Sequence, residues 1–228
     1  MTRLVKPGNI ALKRYTTLSV AIDMLTEQRL TLLSPATWQD KNDIAFLEAY
    51  RAKREVANVF ATCFTQASET YHHWGVFAGH SEGVRVNINK LRFLSSLRGM
   101  KGFLWNDVNY KTLDEMKTLR QIDIYELPFF KRWAFRDEKE FRLLFECEDA
   151  AERFKSVELK REWITSVTLS PWLPENLVVS VKAALKSLPG CGKIRILSTS
   201  LRDNEGWKSA SERVVNVSAS RGHPPQHF

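Results

Sequence analysis

The chain has 228 residues, 43% of them hydrophobic and 11% aromatic, which supplies one substantial core. Seven tryptophans and thirteen phenylalanines exclude a disordered chain, and the lack of a long apolar run excludes a membrane-spanning helix. The net charge of +8 suits a phosphate-bearing partner, but equally a basic surface that keeps the protein in solution.

Taken in order, residues 11–15 form a short strand candidate. A helix is expected over 18–28, with Leu18, Ala21, Ile22 and Leu25 at helical spacing. Residues 30–33 read as a strand stopped by Ser34-Pro35. The polar loop 38–43, W-Q-D-K-N-D, feeds a helix over 44–54 with Asp43 as its cap. Residues 59–65 are β-rich. Ser68 can cap a helix reaching residue 78, and Val84, Val86 and Ile88 then alternate with Arg85 and Asn87 as in a half-buried strand. Further helices are expected over 113–124 and 176–188, and strands over 140–146, 163–169 and 193–198. With no regular βαβ rhythm, the expected class is α+β. Residues 1–213 read as one globular domain and residues 214–228, which lose periodicity, as a C-terminal tail.

Cys63, Cys147 and Cys191 are far apart and form no C-x-x-C pair, so neither a disulfide framework nor a thiolate zinc site is expected. All three read as small buried thiols, with Cys191 the more exposed. The start, M-T-R-L-V-K-P-G-N-I, shows no apolar leader, so a cytoplasmic protein with no membrane partner is expected. Dinucleotide and P-loop glycine motifs, H-E-x-x-H and G-x-S-x-G are all absent.

Two stretches carry the chemistry. In E-T-Y-H-H-W, Tyr71, Trp74 and Ala78 recur at i, i+3 and i+7, which fits a buried helix face. His72 lies off that stripe and is the cleft-facing candidate. His72 and His73 diverge by about 100° on a helix, so no metal site is expected. In D-E-K-E-F-R, Phe141, Leu143 and Phe145 form a core face, while Glu138, Glu140 and Arg142 form a polar row on the other. The simplest account of that row is a solvated strand face with a salt bridge. Mutual repulsion of the two carboxylates would raise the proton affinity of one of them. Upstream, Lys131 and Arg132 stand among aromatics as a buried edge or an anion-contacting rim.

The order of K-R-Y-T (13–16), W-Q-D-K-N-D (38–43), E-T-Y-H-H-W (69–74), F-F-K-R (129–132) and D-E-K-E-F-R (137–142) resembles a bacterial family of unknown function, in some cases found near phage-defence genes. Beyond that, R-Y-T-T-L-S-V-A-I-D-M-L-T-E-Q-R-L is similar to the opening of ADP-ribosyltransferases that modify nucleic acids. This remote likeness implies a split, mixed β-sheet with short flanking helices and NAD as a substrate. It also implies roles: Arg14, Tyr15 and Arg142 toward the cofactor, Tyr71 and Trp74 beside the nicotinamide, Glu140 or Glu138 as the catalytic carboxylate with His72 nearby, and Lys131 and Arg132 toward a nucleic-acid or protein acceptor. Two alternatives stand beside an NAD-using transferase or glycohydrolase of toxin-like, abortive-infection type. One is a nucleic-acid-binding or regulatory module, favoured by the basic charge; the other is a metal-independent nuclease.

Overall fold

The structure, a computed structural model, describes residues 11–219. The chain runs β1 (Ala11–Thr17), α1 (Leu18–Thr26), β2 (Arg29–Leu33), α2 (Lys41–Arg54), β3 (Asn58–Thr65), α3 (Tyr71–Phe77), β4 (Gly83–Asn89) and α4 (Lys90–Leu97). It continues through β5 (Phe103–Asp107), β6 (Asn109–Lys111), α5 (Leu113–Thr118), β7 (Phe130–Arg132), β8 (Glu140–Cys147), β9 (Phe154–Glu158), β10 (Ile164–Leu169), α6 (Glu175–Ser187), β11 (Ile196–Leu197) and α7 (Glu205–Ala219). The class is α+β, as the sequence suggests.

One sheet follows the order β11-β10-β4-β1-β3-β2-β9, with β8 added to β3 and β5 to β8. All its pairs are antiparallel except β10 with β11, so the sheet is mixed. It is also split. β1 pairs with β4 along seven positions but with β3 only at Lys13–Thr65. β2 meets β3 only at Leu33–Ala61. Between Ala61 and Thr65, one edge of β3 therefore has no strand partner, and a gap opens there.

Both sheet faces are covered. On one, α1, α4 and α6 bury Leu25, Phe93 and Leu185 against Leu12, Phe60, Phe64, Val86, Phe141 and Leu143. On the other, Leu47 and Tyr50 of α2 pack on Val59, Ala61 and Leu144. The alternation of β3 and β8 thus feeds two cores, because side chains change face at each residue. At about 25 cal/mol per Å², burying side chains of this size supplies the main stabilisation of both layers.

Several local expectations shift. In α1, Met24 is buried where Ile22 was expected, and Ile22 is 38% exposed. The α2 helix begins earlier and is capped by Asp40, whose carboxylate accepts from Asn42 N at 2.9 Å, not by Asp43. Thr70 rather than Ser68 caps α3. The helix expected over 113–124 stops at Thr118, and a 3-10 helix, Ile124–Phe129, follows after a break. The strand expected over 193–198 shortens to Ile196–Leu197. Residues 214–219, expected as tail, continue α7; residues 220–228 lie outside the described residues. The cysteines invert the expectation: Cys191 is fully buried and Cys63 is the one partly exposed. Among the described residues no helix is long and apolar enough to cross a membrane.

Candidate active site

The gap in the sheet deepens into a cavity of about 620 Å³, in the range that holds a small-molecule ligand. Arg14 and Tyr15 of β1, Thr62 and Cys63 of β3, His72, His73 and Phe77 of α3, and Lys131, Glu138 and Glu140 all line it. Four segments far apart in sequence thus converge where β1 and β3 separate.

Arg14 spans the separation. Its Nη1 donates to the Thr62 hydroxyl and, at 3.2 Å, to the Cys63 carbonyl, occupying part of the β3 edge that lacks a strand partner. Nε is buried without a partner, and no carboxylate among the described residues lies in ion-pair range. Burial pulls the Arg14 pKa down from its ordinary value. The guanidinium nevertheless stays charged at neutral pH, so the cavity wall holds a cation without a counter-ion.

The opposite pole is a chain of ion pairs. Arg142 Nε donates to Glu140 Oε1 at 2.8 Å, and its two Nη atoms donate to Asp43 Oδ1 and Oδ2, each at 2.8 Å. The Pro128 carbonyl takes a further bond at 2.7 Å. Lys131 Nζ donates to Glu138 Oε2 at 2.6 Å and to Glu140 Oε2 at 3.0 Å. β8 explains the placement: Glu140, Arg142 and Leu144 share the face toward α2, whose first turn brings Asp43 to the guanidinium. The short parallel pair β6–β7 delivers Lys131, and the Tyr110 hydroxyl beside it accepts from Glu140 N at 2.9 Å.

The row is therefore not a solvated strand face. Glu138 and Glu140 are buried, and Arg142 is fully buried. Glu138 lies outside β8 altogether, at the end of a 3-10 helix, Trp133–Glu138. Lys139 turns the chain in the left-handed region, φ 43° and ψ 52°, and so brings both carboxylates onto Lys131. For a residue other than glycine that conformation costs energy, a recurrent feature of functional sites.

Environment separates the two glutamates. Burial alone would push Glu140 up, but Arg142 and Lys131 override it and hold the carboxyl at about 2. Burial raises Glu138 and Lys131 only partly opposes it. Asp43 is likewise raised by burial against the pull of Arg142. Lys131, though buried, is driven up by Glu140 and Glu138, and so remains an ammonium. Glu140 is thus an anion throughout the physiological range, while Glu138 is the more readily protonated of the pair. Cys63, facing Arg142 across the strands, is pushed well up by burial and by Glu140, so it is a neutral thiol and a poor nucleophile.

The aromatic wall differs from the expected one. Trp74 does not line the cavity: it is fully buried, donates its indole N–H to Glu69 at 2.7 Å and packs edge-on against Tyr15 at 5.0 Å. Tyr71 is 63% exposed and meets Trp172 at 4.9 Å outside the lining. Trp74 packs onto β1, whereas Tyr71, the first residue of α3, lies at the end of the helix and packs on Trp172 instead. The cavity face instead comes from Tyr15, stacked on His73 at 5.4 Å, together with Phe77 and Phe135. Exposed His72 reaches the cavity, as expected. Buried His73 does so as well; its Nε2 lies 3.4 Å from the Glu138 carbonyl, which can only accept, so the neutral ring carries its proton on Nε2. Arg142 and exposed Arg132 stand outside the lining, and Lys131 is engaged by carboxylates. Trp38, in the loop before α2, lines the cavity with its ring 5.0 Å from the Arg142 guanidinium. Three carboxylates converge on the Lys131 ammonium, and among the described residues no group of three or more His, Cys, Asp or Glu side chains is placed to hold a metal ion.

No protein-family model matches the chain, and no curated protein matches it. Among solved structures it is similar to DarT of Thermus sp. 2.9 in complex with NAD+, at 12% identity and a TM-score of 0.44, over 86% of this chain and 98% of that one. The same protein in complex with carba-NAD+ gives 12% and 0.44 over 85% and 97%. In complex with ADP-ribosylated ssDNA it gives 12% and 0.45 over 87% and 98%.

Proposed function

We propose that this chain uses NAD as a substrate and cleaves its nicotinamide–ribose bond, as an ADP-ribosyltransferase or, with water as acceptor, an NAD glycohydrolase. The observation that carries this reading is the pairing, in one cavity, of Arg14, which has no counter-ion among the described residues, with Glu140, whose carboxyl Arg142 and Lys131 hold low. A dianionic diphosphate linker suits the first, because a guanidinium with vacant donors binds phosphate oxygens by charge-assisted hydrogen bonds. The second suits the bond broken. As nicotinamide departs with the bonding electron pair, positive charge grows on the ribose, and a fixed carboxylate stabilises that charge without reorganising. The Tyr15–His73 stack, Phe77 and Phe135 offer ring faces for the nicotinamide. The acceptor's oxygen or nitrogen then bonds to the anomeric carbon and releases its proton to Glu138 or to water.

The +8 charge favours a nucleic acid as the acceptor, with a protein as the other case. In a phage-defence setting, such an activity would make the chain a toxin-like effector. Isothermal titration tests the reading: saturable binding of one NAD per chain is expected, and no binding at millimolar NAD would rule it out. A second reading, a nucleic-acid-binding module, is favoured by the exposed Arg136–Trp133 pair, with the guanidinium 5.0 Å over the ring, next to exposed Arg132. Affinity for DNA or RNA that falls steeply with salt, without nicotinamide release, would select it.

A further inference from the structure

We propose that Asp43 is a positioning residue for Glu140, acting through Arg142; this rests on Glu140 being the catalytic carboxylate. Asp43 is 3% exposed and makes no contribution as a helix cap, which Asp40 provides. Its two oxygens instead occupy both Nη atoms of Arg142, each at 2.8 Å. The end-on fork of Arg142 is thereby taken, and Glu140 is met through Nε.

The consequence follows from guanidinium geometry. Arginine and carboxylate pair most strongly as a fork, with two parallel N–H···O bonds. A free Arg142 would take both Glu140 oxygens in that way and draw the carboxylate back into the protein. With its end-on fork committed to Asp43, Arg142 makes one bond to Oε1, and Lys131 makes one to Oε2. Each Glu140 oxygen is thus held by one cation at the edge of the cavity. Asp43 is also 3.7 Å from Lys131 Nζ, so it shares the second cation that steadies Glu140. The same helix follows the loop of Trp38, Gln39 and Asp40, which lines the cavity, so the ligand wall and the carboxylate are built on one support.

The test uses Asp43→Asn, which keeps the size of the side chain and removes one acceptor. A crystal structure of the variant is expected to show Arg142 contacting both Glu140 oxygens, and nicotinamide release from NAD is expected to show kcat reduced at least tenfold with KM little changed. An Arg142–Glu140 contact still made through Nε alone, or an unchanged kcat, overturns the proposal. Should the variant fail to fold, nitrogen NMR of the wild-type Arg142 guanidinium decides: four resolved, slowly exchanging Nη protons are expected, and averaged ones overturn it. If wild-type protein releases no nicotinamide, the NAD reading fails, while the guanidinium signals and the variant's structure still decide the positioning.

Discussion

Lys131 Nζ stands 2.6 Å from Glu138 Oε2, and through this contact one buried ammonium holds two carboxylates of opposite proton affinity side by side. Glu140, which also has Arg142, stays ionised down to about pH 2; Glu138, whose one close cation among the described residues is Lys131, is raised by burial. Carboxylates whose environments drive them apart in this way are a recurring basis for divided roles in catalysis.

The raised Glu138 has a consequence for stability. A carboxyl whose folded pKa exceeds its unfolded value contributes stability that is fully present below the ordinary 4.5 and is lost as pH rises through the folded value. Glu138→Gln stays neutral at every pH. Its urea midpoint relative to wild type should therefore climb as pH rises above about 4.5. Glu140 acts in the other direction, with stability present above 4.5 and lost as pH falls toward 2, but it is common to both proteins and cancels. A constant difference across that range would show that Glu138 is not raised.

Arg14 should govern affinity rather than turnover. Removing a hydrogen-bonding charge toward an anion costs about 1.5–3 kcal/mol, so Arg14→Ala should weaken NAD binding roughly tenfold to a hundredfold. Calorimetry on the two proteins, with ADP-ribose as a nicotinamide-free control, should show the loss for both ligands. Equal affinities would remove Arg14 from the diphosphate site.

The two aromatics of E-T-Y-H-H-W should separate in a stability assay. Trp74→Ala leaves a void beside Tyr15 and removes one donor from Glu69, and should cost about 3–5 kcal/mol in denaturant unfolding. Tyr71→Ala, at an exposed position, should stay within about 0.5 kcal/mol. Similar costs for both would contradict the different burial of the two side chains.

What could be read in the sequence divides along physical lines. The strands around Val59–Thr65 and Glu140–Glu146 and the α+β class were legible because alternation and β-rich runs are local signals. Helical spacing indicated burial for Trp74 and Tyr71 alike, and it held for Trp74 but not for Tyr71 at the start of α3. The split between β1 and β3 was implied only by the remote resemblance, since it depends on which strands pair and for how long. Two site features were out of reach for a related reason. Asp43 looks like a cap because both Asp40 and Asp43 precede an apolar run, and only Arg142, ninety-nine residues away, distinguishes them. Glu138 looks like a strand neighbour of Glu140 because nothing local announces a left-handed Lys139.

The central claim is that Glu140 stabilises positive charge on the ribose of NAD. The most direct measurement is nicotinamide release from NAD by wild-type protein and by Glu140→Gln, with label from the ADP-ribose half followed into water-soluble product, DNA, RNA and protein. Wild type should release nicotinamide, and the variant, still folded by circular dichroism and still binding NAD, should do so about a hundredfold to a thousandfold more slowly. Equal rates in the two proteins, or no release by wild type in the presence of every acceptor pool, would contradict the account.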